Sequence, residues 1–251
     1  MIDRVLRPLR PRAVAGYCPP PRQVASDLWQ FERRLRFPPG LVLSGKMTAV
    51  RLSDGGLVLV SPVALDDPTR QQIAALGRVT AVIAPNPFHY LFAAGYAAVF
   101  PGCEMYLAPG LRERVPTCPP GIVLADDTRP EWWPELEHLV VGSGGASGGS
   151  AAEVVFLHRP TATLILTDLA MNVTSIEPAW QRWAWRASGI LPRFGPSRSA
   201  RLTLLRDRAA ARPQLERVLR WDFTRILVAH GDPIEHDAKR VFTDAFRDQL
   251  R

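Results

Sequence analysis

Apolar residues in this chain fall mainly into short, β-branched runs separated by Gly, Pro, Asp and Asn, the pattern of strands closed by turns. Leu41-Val42-Leu43, Met47 to Leu52 and Leu57 to Val60, with a turn at Asp54-Gly55-Gly56, predict a β-rich start. Pro68 to Leu76 predicts a helix, and Val79 to Ala84 a strand running into Asn86 and His89, a βαβ-like step. A helix near Tyr90 to Ala98, a short strand at Glu104 to Leu107 and a Pro-rich stretch from Pro116 to Pro120 follow. Glu153 to His158 and Ala162 to Thr167, joined by Arg159-Pro160-Thr161, read as a hairpin. Residues 177–221 read as helical, and the chain closes on a strand at Arg225 to Ala229 and a helix at Ala238 to Leu250. Strands with intercalated helices predict a layered α/β architecture.

The first 40 residues break this pattern. They are rich in Pro and Arg, with a helix expected over Ser26 to Leu35, where Leu28, Trp29, Phe31 and Leu35 form one apolar side. We read residues 1–40 as a basic arm and residues 41–251 as one domain. At 47% hydrophobic and 22% charged residues, the composition is that of a globular protein. No apolar run reaches bilayer length and the N-terminus lacks a signal-peptide stretch, so a cytoplasmic protein is expected. Cys18, Cys103 and Cys118 have unrelated spacings that indicate neither a disulfide framework nor a zinc knuckle, which leaves idle thiols.

A formal charge of +7 raises the question of nucleic acid. Much of the excess lies in the arm, which carries eight Arg against Asp3, Asp27 and Glu32, and the chain has only Lys46 and Lys239 as lysines. That bias fits a GC-rich genome better than a phosphate-binding face, and no recognition helix or aromatic RNA-stacking motif accompanies it. The run Gly142 to Ser150 lacks the Lys-Ser/Thr pair of a phosphate loop and reads as a flexible connection. Trp180, Trp183, Trp185 and Trp221 alternate with Arg182, Arg186, Arg193, Arg198 and Arg201. The favoured reading is helices closed against a sheet, with Arg stems over the rings.

Candidate chemistry lies in three separated fragments, Ala84 to His89, Thr163 to Asp168 and Ile226 to Asp232. Each ends an apolar run on a polar residue, where a sheet can aim imidazole and carboxylate groups rigidly at one point. These fragments, with Met47 to Leu52, Gly55-Gly56-Leu57, Ser61-Pro62-Val63, Glu153 to Phe156 with His158, Asn172 and His230-Gly231, resemble the metallo-β-lactamase fold superfamily. The closest resemblance is to the DUF4336 domain family of bacteria and plants, whose function is unknown.

The resemblance covers almost everything from Leu41 onward and implies an αββα sandwich of two mixed β-sheets flanked by helices. The superfamily's first metal motif is His-x-His-x-Asp-His. With its last His laid on His89, the earlier ligands fall on Ala84, Asn86 and Phe88, and the next lone His falls on or near Gly149. The bridging Asp corresponds to Asp168 and the last His to His230. The resemblance thus implies that the first site of a dinuclear centre is lost, while His89, Asp168 and His230 suffice for one zinc or iron ion with an open position.

Glu153 is the favoured fourth ligand or general base, with Asp232 as the other candidate proton acceptor. Asn86, His158 and Asn172 are further pocket candidates. Glu153 and His158 point to opposite faces of a regular strand, and His158 is better suited to structural support. His138 and His236, without partners at useful spacing, are expected at the surface. The leading expectation is a metal-dependent, hydrolase-like enzyme acting on a small or medium molecule. The rival is a degenerate, metal-free protein of the same fold that binds a ligand or partner. In that reading Asn86 stands where a ligand His stood, Phe88 dries the pocket, and the Gly-rich and Trp/Arg segments form the recognition surface.

Overall fold

A computed structural model describes residues 11–38, 40–142, 151–177, 179–190 and 193–251. The glycine run beyond Gly142, including Gly149, and the first ten residues of the basic arm lie outside them. The chain divides into two compact units, residues 1–107 with 111–123, and residues 108–110 with 124–251.

The first unit is built on one mixed sheet. Its strands are β1 (Arg12–Ala13), β2 (Arg22–Ala25), β3 (Leu28–Phe37), β4 (Leu41–Arg51), β5 (Gly56–Val60), β6 (Arg78–Ala84), β7 (Glu104–Leu107) and β8 (Ile122–Val123). They run in the order β1-β3-β4-β5-β6-β7-β8, with β2 on β3. Pairing is antiparallel as far as β5 and parallel from β5 to β8. The register sets Trp29, Ala49, Leu59, Val82 and Met105 in one row across five strands. All five belong to the unit's core. Three helices complete it: α1 (Asp67–Ala74), α2 (Ala93–Val99) and α3 (Leu111–Arg114). Asp66 caps α1 by accepting from the Thr69 amide at 2.9 Å.

The helix expected over Ser26 to Leu35 is instead most of β3. Trp29, Phe31 and Leu35 share a face at a spacing of two as readily as Leu28, Phe31 and Leu35 do on a helix. Ladder pairing decides between them, because Leu28 to Phe37 oppose Val50 to Leu41 without a break. Residues 28–37 of the basic arm are therefore a strand of this sheet.

The second unit carries a smaller mixed sheet of β9 (Leu136–Gly142), β10 (Ala152–His158), β11 (Thr163–Leu166) and β12 (Arg225–Val228), in the order β12-β11-β10-β9. The expected hairpin is β10 and β11, joined by a 3-10 turn at Arg159–Thr161 with Ala162 at φ +48°. Only β11 and β12 run parallel. The helices are α4 (Arg182–Ala187), α5 (Arg198–Thr203), α6 (Arg208–Arg220), α7 (Ala238–Ala245) and α8 (Arg247–Leu250). On α6, Ala211, Leu215 and Val218 fall at i, i+4 and i+7. They are buried in one core with Val155, Leu157, Leu164 and Leu166 of the sheet and with Phe242 and Phe246. Among the described residues no helix is long and apolar enough to cross a membrane.

Candidate metal centre

All three candidate ligands follow the C-terminal ends of parallel strands, where the backbone leaves the sheet and side chains can converge on a ligand. His89 follows β6, Asp168 follows β11 and His230 follows β12.

In the first unit the Asn86 side chain is buried, and its Oδ1 accepts from the amides of Phe88 (2.8 Å) and His89 (2.9 Å). This local turn fixes the backbone that presents His89. The ring is fixed separately, because His89 Nδ1 lies 2.5 Å from Ser61 Oγ. Ser61 directly follows β5 with φ +64°, and its amide donates to Ile83 O at 3.0 Å, so the hydroxyl is tied to the same sheet. Phe88 is 53% exposed and so does not dry a pocket. Ser61 has a supporting role that its neighbours in sequence did not assign to it. Its one signal is being a polar residue at the end of the apolar run Leu57 to Val60, like the ligand candidates themselves.

In the second unit Asp168 Oδ1 lies 3.5 Å from His230 Nε2, and both side chains are largely buried. Glu153, completely buried on β10, supports this pair from behind. Its Oε1 accepts from Thr167 N (2.8 Å), and its Oε2 from Asp168 N (2.7 Å) and Leu169 N (3.0 Å). Both carboxylate oxygens are engaged by three consecutive backbone amides, a strong charge-assisted clamp. Glu153, expected as fourth ligand or general base, thus braces the turn that carries Asp168.

The turn after β12 is clamped by Asn172. Its amide donates to His230 O at 3.0 Å, its Nδ2 to Asp232 O at 2.9 Å, and its carbonyl accepts from Asp232 N at 2.9 Å. Gly231 between them has φ +101°, and a Cβ there would lie 2.0 Å from Asn172 O. Only glycine permits this approach. Asp232 is exposed, and its carboxylate accepts from the Thr174 hydroxyl.

His158 does not join this group. It pairs with Thr163 at the start of β11, whereas Asp168 lies beyond the end of that strand, and its Nδ1 is 2.8 Å from Thr161 Oγ1. The strand carries it to the opposite end of the sheet. His138 is also misplaced by the sequence reading. It is 1% exposed, with Nε2 2.9 Å from Ala125 O and its ring beside Trp132 and Phe156. Burial pushes its pKa below the usual histidine value. His236 is at the surface as expected. The cysteines are free, and burial raises the thiols of Cys103 and Cys118, the latter to about 11, as expected of idle thiols.

Comparison with known proteins gives the same architecture. A metallo-β-lactamase from Pontibacter korlensis superposes with a TM-score of 0.63 at 13% identity, covering 91% of this chain and 98% of that one. The metallo-β-lactamase FIM-1 from Pseudomonas aeruginosa in its mono-zinc form gives 0.57 at 12% identity, over 97% and 98%. The metal-soaked flavodiiron core of Flv1 from Synechocystis sp. PCC6803 gives 0.54 at 12% identity, over 96% of this chain and 61% of that one. At such identities the likeness shows fold alone. A search of curated proteins gives no match. The family model described as "Domain of unknown function (DUF4336)" matches residues 25–189. Two mixed sheets with their helices, this structural likeness and that match together establish that the chain is a member of the DUF4336 family with the αββα sandwich of the metallo-β-lactamase fold.

Proposed function

We propose that the protein is a metal-dependent, hydrolase-like enzyme of the cytoplasm, with one zinc or iron ion held by His89, Asp168 and His230 and a small or medium molecule as substrate. The observation that carries this reading is the Asp168 and His230 pair, at 3.5 Å, with the backbone of each residue independently clamped. A partly buried carboxylate beside an imidazole is costly unless a cation or dense hydrogen bonding compensates it, and the donor set suits either metal. When bound, such an ion supplies Lewis acidity and a nucleophile at neutral pH.

The chain's own residues then divide the work. Ser61 holds Nδ1 of His89, the usual support for an imidazole that ligates through its other nitrogen. Glu153 holds the Asp168 turn, and Asn172 with Gly231 holds His230. With Glu153 committed to three amides, Asp232 is the carboxylate we assign to take up a proton.

Elemental analysis of protein purified without chelator should find roughly one transition-metal ion per chain. Chelator should lower the melting temperature of the wild type, and Asp168→Asn should lower occupancy and abolish the chelator effect. Metal-free protein whose stability ignores chelator, with His89→Ala changing neither quantity, refutes the proposal.

A further inference from the structure

The tryptophans of the Trp/Arg segment do not all close helices against the sheet. Trp185 and Trp221 are buried, but Trp180, in the 3-10 turn before α4, and Trp183, on α4, are 58% and 69% exposed. Leu202 on α5 is 71% exposed. The two helices meet where Arg198 N donates to Ser188 O at 3.0 Å, and Arg198 and Leu202 share a face of α5 at i, i+4.

Between Glu177 and Asp207 the chain carries six arginines and no Asp or Glu. Elsewhere in the second unit, Arg159, Arg212, Arg217, Arg225, Arg240 and Arg247 pair with carboxylates, while Arg129, Arg206, Arg208, Arg220 and Arg251 do not among the described residues. In the segment, Arg182, Arg186, Arg193, Arg198 and Arg201 have no carboxylate partner among the described residues. Exposed aromatic and aliphatic side chains in one acid-free segment with five such arginines suit an anionic partner that also accepts apolar groups.

We infer that this surface docks the protein peripherally on an anionic phospholipid bilayer. Indole rings reside at the headgroup level, Leu202 enters the acyl boundary, and the arginines meet lipid phosphates. A second copy would bring the same five cations against themselves in a two-fold contact. Residues 1–10, with Arg4, Arg7 and Arg10 against Asp3, are basic as well. Single-stranded nucleic acid would use the rings and the charges but offers Leu202 no comparable environment.

The test is flotation of the full chain with vesicles of phosphatidylcholine mixed with phosphatidylglycerol, beside vesicles of phosphatidylcholine alone. Wild type should float only with the anionic vesicles, and salt should release it. Arg182→Gln with Arg186→Gln should weaken binding about 30-fold, at roughly a factor of five per basic residue. Trp180→Ala with Trp183→Ala should abolish the blue shift of tryptophan emission on binding, and both variants should keep the wild-type melting temperature, since the changed side chains are exposed. Wild type that stays with the soluble fraction, or double variants that float like wild type, overturns the inference. So does binding to a polyuridine oligonucleotide that needs Trp180 and Trp183, with no binding to either vesicle.

Discussion

Replacing Glu153 tests whether the Asp168 turn is braced as the geometry indicates. The carboxylate is completely buried and accepts from three consecutive amides at 2.7–3.0 Å. A buried amide left without an acceptor costs about 1–3 kcal/mol. Glu153→Ala orphans all three, and water entering the vacated space satisfies some of them, so a loss of about 3–5 kcal/mol is expected. Glu153→Gln keeps the volume but turns one acceptor into a donor. Its best orientation leaves the oxygen on Asp168 and Leu169 and aims the NH2 group at Thr167 N, for a loss of about 2–3 kcal/mol. At about 2–4 °C per kcal/mol for a chain of this size, the Ala variant should melt roughly 10 °C lower and the Gln variant about half as far. Thermal unfolding followed by circular dichroism measures both. Amide hydrogen exchange should show Thr167 losing protection in each variant, and Asp168 and Leu169 losing it chiefly in Ala. A Gln variant with wild-type stability and wild-type protection at Thr167 refutes the brace. A variant that loses metal with no loss of stability returns Glu153 to the ligands.

The other predictions follow from the same geometry. Gly231→Ala places a methyl 2.0 Å from Asn172 O at φ +101°, so it should cost about 3 kcal/mol or more and lower metal occupancy with it, read by unfolding and elemental analysis. Asn86→Ala removes the acceptor of two amides and should cost about 1–2 kcal/mol, whereas Asn86→Asp keeps that acceptor and should lose less in the same unfolding assay. Burial holds the His138 pKa below its ordinary value near 6.5, so below about pH 6.5 the unfolded chain takes up a proton that the folded one refuses. Stability should therefore fall as pH drops through that range, and His138→Gln should flatten the profile of melting temperature against pH.

Local pattern made much of this protein legible. The β-branched runs of β4 to β6 and β10 to β12, the capped helix α1 and the i, i+4, i+7 face of α6 are written within a few residues each, because side-chain periodicity and caps are short-range properties. The same runs pointed to His89, Asp168 and His230, since a polar residue closing an apolar strand is visible without knowing its partners. Where two periods fit one segment, as at Leu28 to Leu35, only pairing with β4 could choose. Burial of His138 likewise depends on Trp132 and Phe156, and His158 is set apart from the Asp168 turn by the register of β10 on β11.

By itself, then, the amino-acid sequence determined most of the strands and helices from β4 onward and which polar residues close them, because those follow from neighbours along the chain. Tertiary structure decided what these residues do. Nothing near Glu153 in sequence names its partners until β10 and β11 pair and bring the amides of Thr167, Asp168 and Leu169 to its two oxygens. Ser61 was one serine among many until β5 and β6 paired and set it against His89. Hydrogen bonds between residues distant in sequence exist only after strands have found their register, so the roles they confer become readable only in the fold.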